Sequence, residues 1–155
     1  MTDVLNTGDA YTGKQLLTWE EIQNDCIALA ELLEKNGPFQ GIVGIARGGL
    51  IPSAIVAHRL DIRNVKSVAV TSYFGRQQVT AEILGSVEEI KDGAGWVFID
   101  DLTDTGQTAK LIKKRYPEAK FAAVYAKPDG QEFVDYFVQL LKSENWIVYP
   151  WEKDE

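Results

Sequence analysis

A segment from Trp96 to Thr108 constrains the fold of this chain more than any other part of its sequence. It begins with an unbroken apolar run, Trp96–Ile99, which is typical of a strand buried on both faces of a parallel sheet. The run stops at two adjacent carboxylates, Asp100 and Asp101, and a polar loop and a helix-compatible segment over 107–116 follow. This order of strand, loop and helix predicts an α/β fold with a ligand bound beyond the carboxyl ends of the strands.

The loop combines two opposite chemistries. Backbone amides and hydroxyl groups near its end can face an anion, assisted by the positive end of the helix dipole; they belong to Thr105, Gly106, Gln107 and Thr108. Asp100 and Asp101 would repel that anion, so we expect them to face hydroxyl groups or a divalent cation. A ligand with a phosphate at one end and hydroxyl groups at the other, such as ribose 5-phosphate, satisfies both.

A helix-capping loop with a fortuitous acidic pair is the alternative interpretation, because Asp and Thr are ordinary cap residues. It does not explain why three aspartates, Asp100, Asp101 and Asp104, lie within five residues at the end of one strand. Their mutual repulsion is unfavourable unless a ligand uses them. The pattern therefore favours a binding site.

A second unit of the same kind lies earlier in the chain. Ile42–Ala46 is predicted to be a buried strand, and Arg47, Gly48 and Gly49 connect it to a helix over 50–60. Glycines let a backbone approach a phosphate closely, and arginine supplies a permanent cation with a planar fork. Alone, this loop could be a plain strand-to-helix turn; beside the first motif it indicates a second anion site.

The other elements follow from local patterns. Residues 1–14 lack periodicity and are predicted to form a disordered tail, and a capping box at Thr18 opens a helix. That helix should bury one stripe, consisting of Trp19, Ile22, Cys26, Leu29 and Leu33. Cys26 is therefore expected to be a buried structural thiol, and His58 a structural or surface residue.

The remaining strands are predicted in the second half of the chain. Val65–Phe74 and Val79–Leu84 should form a hairpin, and Phe121–Ala126 another buried strand. The latter would place Lys127 at the same sheet edge as Asp104. The final segment, Phe133–Tyr149, is too short and too aromatic for another βα unit, so we expect it to fold over the sheet edge as a small subdomain.

Size and charge exclude several classes of protein. The 155 residues suffice for one domain, and the net charge of −7 disfavours nucleic-acid or anionic-membrane binding as the main activity. A single cysteine rules out a disulfide framework and a cysteine metal site. No apolar run approaches the roughly 20 residues of a membrane span, and no signal peptide is evident, so the cytoplasm is the expected location.

The segment 97–108 resembles the phosphoribosyl diphosphate (PRPP) binding motif of the type I phosphoribosyltransferases, which has an apolar run, two acidic residues, an apolar residue, a variable pair and Thr-Gly-x-Thr. The resemblance extends, in order and spacing, to Ala46-Arg47-Gly48-Gly49, Ala126-Lys127-Pro128 and Trp146-Ile147. These motifs are similar to those of the 6-oxopurine branch of the family, in particular its short bacterial members that act on xanthine and guanine.

The resemblance implies a fold with a mostly parallel central sheet flanked by helices, a flexible flap and a small C-terminal hood over about 128–151, all within one domain, 15–155. It implies a role for each motif. Arg47 and Gly48 would hold the pyrophosphate of PRPP, assisted by Arg76 on the flap. The ribose and 5-phosphate would be held by the acidic and phosphate-loop residues, which are Asp100, Asp101, Asp104, Thr105, Gly106, Gln107 and Thr108. It also implies a cis peptide bond between Ala46 and Arg47.

The purine would lie between the remaining motifs. Asp104 would be the catalytic residue that accepts the proton from N7, Lys127 would contact O6, Trp146 would stack on the base, and the backbone at Ile147 would contact C2 substituents. The resemblance further implies Mg²⁺ as the cofactor, with Asp101 as its protein ligand, and a homo-oligomer, specifically a tetramer. A PRPP-sensing regulator of the same fold and a phosphoribosyltransferase for another nucleobase are the alternatives.

Overall fold

Strands and helices alternate from residue 13 to residue 74, and a hairpin then interrupts this order. A computed structural model describes residues 13–74, 79–142 and 144–153. The elements, in chain order, are β1 (Gly13–Leu16), α1 (Trp19–Lys35), β2 (Gly41–Ala46), α2 (Leu50–Leu60), β3 (Val65–Phe74), β4 (Val79–Leu84), β5 (Trp96–Thr103), α3 (Gln107–Arg115), β6 (Lys120–Ala126), β7 (Tyr136–Leu140) and β8 (Asn145–Val148).

Six strands form the central sheet in the order β4-β3-β2-β5-β6-β7, and all neighbours are parallel except the β3–β4 hairpin. The predicted mostly parallel sheet and its hairpin are thus confirmed. A second, two-stranded parallel sheet joins β1 to β8. No helix in the described part of the chain is both long enough and apolar enough to cross a membrane.

Strand β5 is buried on both faces, as its apolar run predicts. Val97 and Ile99 pack into the core cluster that contains residues of α1 and α2. Phe98 belongs to the cluster on the other side, with Ile112 of α3. Alternate residues of the strand therefore serve two cores, which is why its sequence shows no polar alternation.

The predicted helix α1 begins with the expected capping box, in which the Thr18 hydroxyl accepts from the Glu21 amide at 3.1 Å and the Thr18 amide donates to the Glu21 carboxylate at 2.7 Å. Ile22, Cys26, Leu29 and Leu33 are buried as predicted. Trp19 is not, because its side chain is 55% exposed beside the ring of Trp151 at the start of the helix.

Three boundaries differ from the sequence prediction. Strand β5 does not stop before the acidic pair but continues to Thr103, because β6 pairs with it as far as that residue. The final segment is not wholly a separate subdomain, since β7 adds to the edge of the central sheet beside β6. The predicted tail over 1–14 is wrong for Gly13 and Lys14, which pair with β8, and its remainder lies outside the described residues.

Candidate active site

The two predicted anion loops meet at one edge of the central sheet. Strands β2 and β5 are parallel neighbours, so their carboxyl ends lie side by side. A Cβ atom at Gly48 would lie 2.2 Å from Oδ2 of Asp101, and one at Gly49 would lie 2.2 Å from the main-chain oxygen of Ile99. The loops are therefore packed so closely that only glycine fits at both positions. The bond between Ala46 and Arg47 is cis, as the resemblance implied.

The acidic pair is half-buried at this junction. Oδ1 of Asp100 accepts from the amide of Asp101 at 2.8 Å, and Oδ1 of Asp101 accepts from the amide of Leu102 at 2.7 Å. Burial raises the pKa of the Asp100 carboxyl well above its usual range, and the neighbouring charge of Asp101 raises it further. Burial also raises the pKa of Asp101. Hydroxyl donors or a cation would favour the charged forms of both groups.

The donor set is compatible with Mg²⁺. Within the described ranges, no three His, Cys, Asp or Glu side chains cluster into a metal cage. Mg²⁺ is ordinarily held through one or two carboxylates together with water and substrate phosphates, and Asp100 and Asp101 can supply those carboxylates. The residues present therefore fit an ion that arrives with a phosphorylated substrate.

The loop between β5 and α3 presents a helix N-terminus. Gly106 is its N-cap, with φ of 84°, and having no side chain it leaves the first-turn amides of Gln107 and Thr108 without a side-chain cap. Such amides suit an anion. A Cβ at Gly106 would lie 2.1 Å from the ring of Phe133, which belongs to the 3-10 turn Gln131–Phe133. Phe133 thus supports this loop, and nothing periodic in its sequence neighbourhood indicated that role.

The predicted base-binding residues meet beside the same loop. The side chain of Lys127 is buried after β6, and its Nζ lies 2.8 Å from the main-chain oxygen of Asn145 and 3.8 Å from Oδ2 of Asp104. Burial lowers the pKa of Lys127, while the charge of Asp104 opposes that shift. In β8, the side chain of Trp146 is 41% exposed and that of Ile147 is buried.

Two predicted residues fall elsewhere. His58 is exposed on α2, in agreement with a surface role. Arg76 lies outside the described residues, so its proposed contact with the pyrophosphate stays a prediction. Sequence reasoning also missed Tyr149, a buried tyrosine whose ring stacks on that of Trp151. Its only sequence signal was its place directly after the strand predicted to bind the base.

Comparison with known proteins assigns the family. The model of the phosphoribosyl transferase domain matches residues 12–154. The chain belongs to the phosphoribosyltransferase family, and the resemblance inferred from its motifs is confirmed.

Particular relatives lie within the purine branch. The chain is 42% identical to the xanthine-guanine phosphoribosyltransferase of Nitratidesulfovibrio vulgaris over 97% of its length and 91% of the relative's. It is 40% identical to that of Desulfotalea psychrophila, over 94% of the chain and 91% of the relative. The crystal structure of a purine phosphoribosyltransferase from Pyrococcus horikoshii superposes with a TM-score of 0.78 at 34% identity, covering 92% of this chain and 96% of that one.

Proposed function

We propose that this protein is a purine-salvage enzyme that transfers the 5-phosphoribosyl group from PRPP to N9 of a 6-oxopurine, releasing pyrophosphate. Xanthine and guanine are the proposed acceptors, with hypoxanthine as a third candidate. The observation that carries this proposal is the approach of Lys127 to Asp104 next to the acidic pair and the phosphate-type loop. The names of the relatives at about 40% identity support the same substrates.

In this proposal the chain binds PRPP at three points. The loop of Thr105–Thr108 binds the 5-phosphate through its amides and hydroxyls, and Asp100 and Asp101 accept hydrogen bonds from the ribose hydroxyls. Arg47, with the Gly48 backbone, faces the pyrophosphate. When bound, Mg²⁺ would be held by Asp101 and would neutralise the charge of the leaving pyrophosphate.

The purine faces three side chains. Lys127 donates to O6, Trp146 stacks on the ring, and the backbone at Ile147 contacts the C2 substituent. N9 displaces pyrophosphate at C1 through an oxocarbenium-like transition state, and Asp104 accepts the proton released from N7. Every step is a substitution or a proton transfer, so no covalent enzyme intermediate is required.

The direct test is a panel of acceptors. Purified protein is incubated with PRPP and Mg²⁺ plus xanthine, guanine, hypoxanthine, adenine or a pyrimidine base, and nucleotide and pyrophosphate are both quantified. We expect equal amounts of the two products with the 6-oxopurines and loss of turnover on adding a chelator. PRPP binding without transfer to any base would point to the regulator, and preference for adenine or a pyrimidine would contradict the proposed acceptor.

A homotetramer in the cytoplasm completes the proposal. It rests on family resemblance alone. Sedimentation at micromolar concentration should show a species of four chains, and a monomer under those conditions would contradict it.

A further inference from the structure

Tyr149 lies directly after β8, the strand proposed to bind the base. Its side chain is only 4% exposed. The ring stacks on Trp151 with a centroid distance of 4.7 Å and an interplanar angle of 7°, and its centroid lies 6.4 Å from that of Tyr125. Contacts with these two rings therefore restrict the orientation of the Tyr149 ring.

The hydroxyl group of Tyr149 is buried and has no hydrogen-bond partner among the described residues. Buried hydroxyls in proteins are almost always hydrogen-bonded, because a desolvated donor without an acceptor is unfavourable. Tyrosine is also a poor choice where packing alone is needed, since phenylalanine would fill the same volume. The hydroxyl group thus points to a bound water or to an acceptor that becomes available during function.

Tyr149 packs near the strand that carries the acidic pair, because its ring lies 6.4 Å from that of Tyr125, and Tyr125 pairs in the sheet with Leu102, the residue after Asp101. Burial raises the pKa of Tyr149 well above its usual range, and the negative charges of Asp101 and Asp100 raise it further. A tyrosine hydroxyl group is an O–H donor at neutral pH. The carboxylate of Glu152, also nearby, already accepts from the Tyr149 backbone amide at 3.0 Å.

The acidic pair has acceptor capacity left for such a donor. One oxygen of Asp100 and one of Asp101 accept from the amide of the following residue. A carboxylate offers about four acceptor positions, so each retains sites for other donors.

We propose that Tyr149 is a positioning residue that donates a hydrogen bond, directly or through one water, to the Asp100–Asp101 pair when that pair engages the ribose hydroxyls of PRPP. This inference rests on the proposed function of the pair. Tyr149 itself does not touch substrate; it fixes the orientation of the carboxylates that do.

The test compares two variants that each delete one buried tyrosine hydroxyl. Y149F removes the unpaired group, whereas Y116F removes a hydroxyl that accepts from the Val87 amide at 3.3 Å in the core cluster on the other face of the sheet. For each protein we would measure the melting temperature without ligand, the Kd for PRPP with Mg²⁺ by calorimetry, and the KM for guanine.

For Y149F we expect an unchanged or higher melting temperature, a Kd for PRPP raised about tenfold, as for one hydrogen bond to a charged group, and an unchanged guanine KM. For Y116F we expect a lower melting temperature and unchanged PRPP affinity. A Kd for Y149F within twofold of wild type overturns the inference. So does a combined loss of stability, PRPP affinity and guanine affinity in Y149F, because that pattern indicates general disruption.

Failure of the proposed function would look different. If the wild-type protein does not bind PRPP, or if D100N binds it as tightly as wild type, the role of the acidic pair is wrong, and the inference falls with it. If wild type binds PRPP, D100N does not, and Y149F binds normally, the proposed function stands and only the role of Tyr149 is refuted.

Discussion

The side-chain nitrogen of Lys127 donates a hydrogen bond of 2.8 Å to the main-chain oxygen of Asn145. Lys127 follows the central strand β6, and Asn145 opens β8, so this bond connects the large sheet to the small one that carries Trp146. The lysine side chain is only 2% exposed, and a buried ammonium group is tolerated only with such partners. The Lys127 side chain therefore connects β6 to β8, the strand proposed to bind the base, and in the proposed complex it also faces O6.

Replacing Lys127 by methionine should weaken selection for oxopurines. Methionine fills a similar volume but cannot donate to O6. An ammonium group also cannot accept from the amino group of adenine, so wild type should prefer guanine and xanthine. We expect kcat/KM for guanine to fall about 10- to 100-fold in K127M, with a smaller change for adenine. Comparable kcat/KM values for guanine and adenine in wild type would refute this role. So would a guanine-to-adenine ratio of kcat/KM that is the same in K127M as in wild type.

Replacing Asp104 by alanine should slow the chemical step. Asp104 lies 3.8 Å from Lys127 beside the N-terminus of α3, where a carboxylate cannot help to bind a phosphate. A positioned acid–base group contributes roughly 10²- to 10⁴-fold, so kcat should drop by that factor with little change in the Kd for PRPP. The exposed Asp129 offers a control, and D129A should retain wild-type turnover. Normal guanine turnover by D104A would end the proton-acceptor assignment.

The sequence predicted those features of the site that depend on a single strand and the loop after it. The apolar run at 96–99 was enough to place β5, and parallel pairing then required the loops after β2 and β5 to be adjacent. Contacts between distant segments could not be predicted in this way. Phe133 supports Gly106, and β1 pairs with β8, without any local periodicity that specifies either contact.

Two errors in the sequence prediction, at Trp19 and at β7, also arise from contacts between distant segments. Trp19 fits the helical stripe by spacing, but its position in the first turn leaves it beside Trp151 at the surface. Strand β7 was missed because the crossover from β6 contains only a 3-10 turn where a βα unit has a helix. Its place was decided by the free edge of β6, which is a property of the assembled sheet.

Gly48 should tolerate no side chain. A Cβ there would lie 2.2 Å from Oδ2 of Asp101, so G48A must displace the carboxylate or the loop. We expect a large loss of PRPP affinity, by calorimetry, in a protein that still folds. G41A is the matched control, because its Cβ would meet the Trp96 ring at 2.3 Å at the opposite end of β2. G41A should lower stability and leave the Kd for PRPP unchanged; equal PRPP affinity in both variants would contradict the close loop packing.

Cys26 should be unreactive in the folded protein. Its side chain is fully buried, and burial, followed by the charge of Asp25, raises the pKa of the thiol from 9.0 to about 12. Iodoacetamide at pH 8 should therefore label the chain only in denaturant. The pKa of the thiol is higher in the folded chain than in the unfolded chain. Its contribution to the free energy of unfolding is therefore complete below pH 9 and decreases as the pH rises towards 12. Rapid labelling under native conditions would disprove the burial.

Removing strand β1 should weaken base binding more than PRPP binding. All four residues of β1 pair with β8, and the amide of Leu17 donates to the oxygen of Val148 at 3.0 Å, so β8 would lose its strand partner without residues 1–16. If the base-binding strand is then ordered for about a tenth of the time, the KM for guanine rises about tenfold. Deleting residues 1–12 alone keeps β1 and should change neither the KM for guanine nor the Kd for PRPP. A chain without residues 1–16 that retains the wild-type guanine KM would show that Lys127 holds β8 in place without help from β1.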